Sequence, residues 1–150
     1  MAKTRVLFLC TGNTARSQMA EGLLRKYAGD QFEVHSAGLE PGVIHPLTIQ
    51  VLEEAGIDAS EHYSKGLTFY LSRMRFGYLI TVCDQADKNC PVFPGMGVRL
   101  HWHFEDPAAG EGSDAEKLAR FRQVRDQIDA QVCAWLAEQS VPSRVAIQEA

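Results

Sequence analysis

Several things are missing from this chain, and each absence narrows its reading. No apolar run reaches the roughly 18 residues that a membrane-crossing helix needs, so no such helix is expected. The first apolar run, Val6 to Leu9, is too short for a signal-peptide core, so a cytoplasmic protein is expected. Basic charge is not in excess: 15 Lys and Arg face 19 Asp and Glu, and the net charge of −4 argues against a general nucleic-acid binder. Cysteine is scarce, with four in the chain. In a cytoplasmic protein these are not a structural disulfide framework; they are candidates for redox chemistry, metal binding or packing. A metal site would recruit Cys83, Cys90 and His101 or His103, but the tight Cys-x2–4-Cys pair of zinc modules is lacking, so no metal is expected. Repeats, linkers and low-complexity tracts are also absent. What remains is 150 residues of ordinary globular composition, 45% hydrophobic and 23% charged, long enough to bury a full core. One domain is expected over residues 1–138, followed by a mobile tail over 139–150.

What is present centres on Cys10-Thr-Gly-Asn-Thr-Ala-Arg16-Ser17. The apolar run Val6-Leu7-Phe8-Leu9 precedes it, and a helical stretch from Gln18 to Tyr27 follows. A buried strand, a tight loop and a helix start turn backbone N–H groups toward one point, where the helix adds the positive end of its dipole. Thr11, Gly12, Asn13, Thr14, Ala15, Arg16 and Ser17 are therefore the candidate oxyanion-binding residues. Cys10 is the candidate nucleophile, its thiolate stabilised by the same donors. Arg16 supplies a planar fork suited to two oxygens of a tetrahedral oxyanion. Asn13 is expected to hold the loop through side-chain bonds to backbone. Ser17 is either a helix cap or a hydroxyl donor to Cys10, and one role does not exclude the other. The plainer reading, an inert cysteine beside a solvated arginine, is disfavoured by the Cys-x5-Arg-Ser spacing after a strand.

Arg5 to Leu9 reads as a strand buried on both faces, since its apolar run does not alternate. Met19, Ala20, Leu23, Leu24 and Tyr27 form one stripe of the next helix. Phe32 to Ser36, Tyr78 to Val82 and Val98 to Trp102 read as further strands. Helices are expected from Pro46, carrying Ile49, Leu52 and Ala55, around Leu67 to Met74, and from Asp114 to about Glu138. Strands alternating with helices give a three-layer α/β fold, a four-stranded parallel sheet flanked by helices. In such sheets ligands sit beyond the carboxyl ends of strands. Cys10, Cys83 and Asp106 each follow a predicted strand and should gather at one edge.

Val82-Cys83-Asp-Gln-Ala-Asp-Lys-Asn-Cys90-Pro91 is the second informative stretch. If helical, it separates the two Cα atoms by roughly 10 Å, whereas a disulfide needs about 7 Å or less. Bonding requires the segment to unwind. The functional reading is a resolving pair: Cys83 attacks a species on Cys10, then Cys90 attacks Cys83. The plainer one is a strand-end cysteine and a loop cysteine with no chemistry. Cys133 falls on the flank of the long helix and reads as packing. Asp106, before Pro107, is the candidate proton donor for a leaving oxygen, or the anchor of an Asx turn. The five histidines show no companion pattern, and Lys65 reads as a surface charge.

The run VLFLCTGNTARSQMAEG resembles the phosphate-binding loop of the low-molecular-weight protein tyrosine phosphatases, whose fold is flavodoxin-like, and more closely that of thioredoxin-coupled arsenate reductases built on that fold. VHSAG, ITVCDQADKNCP, HWHFEDPA and FRQVRDQI resemble further arsenate reductase segments. The resemblance implies a thiol cascade. Arsenate, with phosphate as competitor, binds under Arg16 and the loop amides. Cys10 attacks arsenic while Asp106 assists departure of water. Cys83 releases arsenite and leaves a Cys10–Cys83 disulfide; Cys90 converts it to Cys83–Cys90, which thioredoxin reduces. The alternatives are a phosphotyrosine phosphatase using Cys10, Arg16 and Asp106, and a non-enzymatic anion-binding module. Three departures stand out. Ala15 replaces a frequent loop cysteine, and residues around Gly110 to Lys117 and after Glu138 are additional. Tyr63 and Lys65 stand where some members use Thr and Asp to hold potassium, so the Lys65 amine is expected to replace that ion.

Overall fold

Short apolar runs and period-3.6 apolar patterns alternate along the chain, and the elements follow them. The computed structural model describes residues 3–60, 62–71, 74–90 and 96–139. In order these form β1 (Thr4–Cys10), α1 (Arg16–Ala28), β2 (Phe32–Gly38), α2 (Pro46–Glu54), α3 (Thr68–Leu71), β3 (Phe76–Thr81), α4 (Asp84–Asn89), β4 (Met96–His101) and α5 (Asp114–Glu138). Residues 91–95, and residues 140–150 of the tail expected over 139–150, lie outside the described residues.

The sheet has four parallel strands in the order β2-β1-β3-β4. The chain leaves β1 toward β2, then returns across β1 to β3. That reversal makes the carboxyl ends of β1 and β3 a switch point, where open α/β sheets leave a crevice. Register places Leu9 beside Thr81 and Thr81 beside His101. Cys10, Cys83 and the residues after His101 therefore emerge at one sheet edge.

Helices cover both faces. On one, Trp135 of α5 packs its ring against Phe32 of β2, Tyr78 of β3 and Trp102, and Trp102 meets Phe8. α1 packs between α5 and β2 on this side. On the other face α4 lies against β1 and β3, and Tyr70 of α3 meets His35. Val6, Leu7, Phe8 and Leu9 have no exposed surface, as a strand covered on both faces requires. α5 begins with a capping box, Ser113 accepting from the Glu116 N–H while the Glu116 side chain accepts from the Ser113 N–H.

Three expectations shift. The helix expected around Leu67 to Met74 is, among the described residues, one turn from Thr68 to Leu71. β3 starts at Phe76, ahead of the expected Tyr78. The buried face of α2 is Thr48, Val51 and Leu52, rotated from the expected Ile49, Leu52 and Ala55. The cause is polar: the Thr48 hydroxyl donates to Thr14 O at 2.8 Å and turns that side of α2 toward the loop.

Candidate active site

Cys10 ends β1, and the next five residues turn into α1. Every carbonyl from Cys10 to Thr14 has a partner behind the loop. Leu39 N–H donates to Cys10 O, Glu40 N–H to Thr11 O, Gly42 N–H to Gly12 O and His45 N–H to Thr14 O. The Ser64 hydroxyl adds a second bond to Gly12 O, and Gln18 Nε2 donates to Asn13 O. The described peptides are trans. In a trans peptide the N–H points opposite to the C=O, so the N–H groups of Thr11, Gly12, Asn13, Thr14 and Ala15 turn to the inside of the loop. Asn13 N–H reaches Cys10 Sγ at 3.1 Å, as this orientation requires.

Asn13 sits at φ 54° with no exposed surface. Asparagine tolerates this left-handed conformation better than most residues. Its amide orientation is fixed from outside. Lys65 N–H donates to Asn13 Oδ1 at 2.8 Å, so Nδ2 must face Ser17 Oγ (2.7 Å) and Ser36 Oγ (3.0 Å). Ser17 Oγ accepts from Asn13 and so keeps its own proton for Cys10 Sγ, 2.8 Å away. Ser36 passes its proton on to Glu21 Oε1. Asn13 thus does more than bond to backbone: it orients the hydroxyl that faces the sulfur. Ser17 takes the hydroxyl-donor role; the N-cap of α1 is Ala15, and no side chain caps it.

Behind the loop, a polar cavity of about 400 Å³ is lined by Glu21, Arg25, His62, Tyr63 and Lys65, among others. Lys65 is not a surface charge. Its ammonium is mostly buried, donates to Tyr63 O at 2.7 Å and stands 3.8 Å from Glu21 Oε1. Burial pushes its pKa down, and Glu21 opposes that shift. His62 is paired with Gln18 Oε1 at 2.9 Å, and burial holds its pKa below the ordinary value.

In front of the loop, a cleft of about 530 Å³ is lined by Thr11, Arg16, Cys83 and Asp106, together with Asp84, His103 and Arg120. Arg16 Nη1 donates to Phe104 O at 3.0 Å, and its Nη2 lies 4.0 Å from Asp106 Oδ2. Asp106 takes the Asx-turn reading in its geometry. Oδ1 accepts from Ala108 N–H in an Asx turn, which leaves Oδ2 toward Arg16. Cys83 is the N-cap of α4; its sulfur accepts from Ala86 N–H and lies 3.4 Å from Thr11 Oγ1.

Cys10, Arg16, Cys83 and Asp106 are therefore gathered, and Cys90 is not. Cys90 follows α4, buried, with its pKa raised by that burial. A helical turn and a half lies between the two thiols, and no disulfide joins them in this conformation. Arg99 of β4 holds the far end of α4, donating to Asp87 O, to Asp87 Oδ1 at 3.2 Å and to Cys90 O at 3.5 Å. Cys133 is partly exposed on α5, consistent with packing, and burial raises its pKa.

Several contributors escaped the sequence reading. Gly38 packs so tightly that a Cβ there would lie 2.7 Å from Thr11 O and 2.8 Å from Asn13 N. Gln18 and Glu21 are buried polar residues of the loop's supporting network. Arg120 brings a second guanidinium to the cleft, with Nε and Nη2 buried and without a hydrogen-bond partner among the described residues.

The low molecular weight phosphotyrosine protein phosphatase family profile matches residues 5–145. The chain belongs to this family. Within it, an arsenate reductase of Halalkalibacterium halodurans is 44% identical over 132 residues, 88% of this chain and 94% of that protein. One from Bacillus subtilis is 41% identical over 123 residues, 82% of this chain and 88% of the relative. Among solved structures, a thioredoxin-dependent arsenate reductase of Corynebacterium glutamicum superposes with a TM-score of 0.72 at 33% identity, covering 94% of this chain and 64% of that one. An arsenate reductase in a phosphate-binding state superposes with a TM-score of 0.71 at 31% identity, covering 90% and 98%. Vibrio vulnificus Wzb, at 18% identity and a TM-score of 0.71 over 91% and 99% of the chains, shares the fold. The family fold and the four-stranded parallel sheet agree.

Proposed function

We propose that this protein reduces arsenate to arsenite, with Cys10 as nucleophile, Cys83 and Cys90 as the resolving pair, and thioredoxin as reductant. The observation that carries the reading is Cys83, which opens onto the same cleft as Arg16 with its sulfur 3.4 Å from Thr11 of the anion loop. A phosphatase needs no second thiol there. Arsenate binds among the loop N–H groups of Thr11 to Ser17 with Arg16 across its oxygens. The Cys10 thiolate displaces water from arsenic, and Asp106 supplies a proton to the departing oxygen. The Cys83 thiolate then attacks Cys10 sulfur. The As–S electron pair stays with arsenic, which leaves as arsenite, two electrons reduced, and a Cys10–Cys83 disulfide remains. Cys90 attacks Cys83 and frees Cys10. Thioredoxin reduces Cys83–Cys90 by exchange. This chemistry belongs in the cytoplasm, where thiols are kept reduced; among the described residues no helix is long and apolar enough to cross a membrane.

The test is arsenate-dependent NADPH consumption with thioredoxin and its reductase, run beside glutaredoxin with glutathione. Turnover with thioredoxin alone supports the cascade; turnover only with glutathione overturns it. Phosphatase action with Cys10, Arg16 and Asp106 is the second reading, favoured by a loop whose donors suit any tetrahedral oxyanion. The Lys65 ammonium takes the place of a monovalent cation between Glu21 and Tyr63 O. Activity should therefore be the same in potassium and sodium buffers of equal ionic strength, and clear potassium activation would sink this role.

A further inference from the structure

Three exposed side chains meet at the mouth of the cleft: Asp84, the first residue of α4, His101, the last of β4, and His103, two residues on. His101 Nε2 and His103 Nδ1 each lie 3.0 Å from Asp84 Oδ1, and the three atoms all fall within 4.8 Å of one another. Ligands around a tetrahedral metal, with bonds of about 2.0–2.1 Å, stand about 3.3 Å apart. Each Asp84–histidine distance needs to open by a few tenths of an ångström, and the two imidazole nitrogens, within 4.8 Å of each other, need to settle at the same spacing.

The hydrogen bonds around His101 are compatible with a metal ligand. Thr81 Oγ1 lies 2.8 Å from His101 Nδ1 and 3.1 Å from Asp87 Oδ1. With the Thr81 proton on Asp87, Nδ1–H donates to Thr81 and Nε2 presents its lone pair beside the Asp84 carboxylate, the tautomer that binds a metal through Nε2. One proton bridges two of the three atoms; a metal ion bridges all three. The two imidazoles, His103 foremost, hold the Asp84 carboxyl below its usual range.

We propose that Asp84, His101 and His103 bind a divalent transition metal of the zinc, cobalt or nickel type, which staples the start of α4 to the segment after β4. Two imidazoles and one carboxylate suit such borderline ions, and three protein ligands leave a position for water. No metal was expected from the cysteine spacing, in a reading that looked to Cys83 and Cys90 with His101 or His103; here both histidines serve and Asp84 stands in place of the cysteines. The staple sits next to Cys83, the N-cap of the helix that must unwind for Cys83 to reach Cys90. Metal binding should therefore slow the thiol cascade. That consequence rests on the proposed function; the site itself does not.

Cobalt is the probe, because its visible spectrum reports its ligands. The reduced Cys83→Ser/Cys90→Ser protein, which lacks the two thiols flanking α4, should bind one Co²⁺ with no thiolate charge-transfer band. Adding His103→Gln should weaken binding at least about tenfold, and Thr81→Val should weaken it by about the same factor through the orientation of His101. Zinc should slow amide hydrogen exchange of residues 84–90 in the full chain and slow arsenate turnover in the wild type, but do neither in His103→Gln. Equal cobalt affinity with and without His103, or cobalt binding only when both thiols are present, overturns the site. Unchanged exchange, or equal slowing of turnover in wild type and His103→Gln, overturns the staple. If metal-free protein fails to turn over arsenate, the proposed reaction falls, while the cobalt titration still decides the site.

Discussion

The anion loop and the α4 segment each present a thiol to the cleft, yet they are held in opposite ways. In the loop, five successive carbonyls are tethered from behind, and a buried amide fixes the hydroxyl that faces Cys10. α4 is six residues long with Ala86 as its buried residue, and Arg99 grips its far end. A helix that short has little stability of its own. An oxyanion cradle loses catalytic power when its donors relax, whereas a thiol relay needs one partner to travel. For the proposed cascade the difference teaches that rigidity and weakness each have a use, placed a few ångströms apart.

The sharpest way to break the contrast is to remove one thiol from each side. Cys10→Ser should abolish both arsenate reduction and aryl-phosphate hydrolysis, at least about a thousandfold in each. Cys83→Ser or Cys90→Ser should bring arsenate turnover to background while aryl-phosphate hydrolysis stays within about threefold. Arsenate turnover that survives in both single variants would remove α4 from the reaction.

A stability comparison comes next. Asn13→Ala leaves buried Ser17, Ser36 and Lys65 groups without their partner in a left-handed backbone. It should cost about 2–4 kcal/mol in urea unfolding and depress both reactions. Arg99→Ala should cost under about 1.5 kcal/mol, since its partner bonds are partly exposed. It should also speed Cys83–Cys90 disulfide formation under mild oxidant, because the far end of α4 is released. Slower disulfide formation in Arg99→Ala would mean that Arg99 assists the pairing.

The smallest effect concerns acid. Burial lowers the folded pKa of His62 beneath its ordinary value of 6.5, so the unfolded chain binds more protons just below that pH. Stability from this group is present above about 6.5 and is lost as pH falls through the folded pKa. Denaturation midpoints at pH 7.5 and 5.5 should differ less in His62→Gln than in wild type. Because His62 braces Gln18 behind the loop, the acid-sensitive part should lie on the loop side and leave α4 unaffected.

Much of this was legible in the chain. Val6 to Leu9 ends in Cys10, and an unbroken apolar run can be buried on both faces only as a strand between layers. α5 spans Asp114–Glu138 as its long period indicates. The switch point follows from strand order, and it brings Cys10, Cys83 and Asp106 to one edge. Residues whose partners lie far along the chain were illegible. Asn13 depends on Ser36 and Lys65, Gly38 on the turn at Thr11, and Asp84 on His101 and His103. Local periodicity reports which face is apolar; it carries no information on which polar groups will meet. α2 makes the same point, since the Thr48 bond to Thr14 O moved its buried face away from the purely apolar stripe.

The tethers from Leu39, Glu40, Gly42 and His45 set the curvature of the cradle without lining the cleft in front of it. Substitutions in that backing strip should therefore retune which tetrahedral ion fits, leaving every group in the cleft chemically untouched. Discrimination between two ions as alike as phosphate and arsenate is then a property of the wall behind the cradle as much as of the cradle.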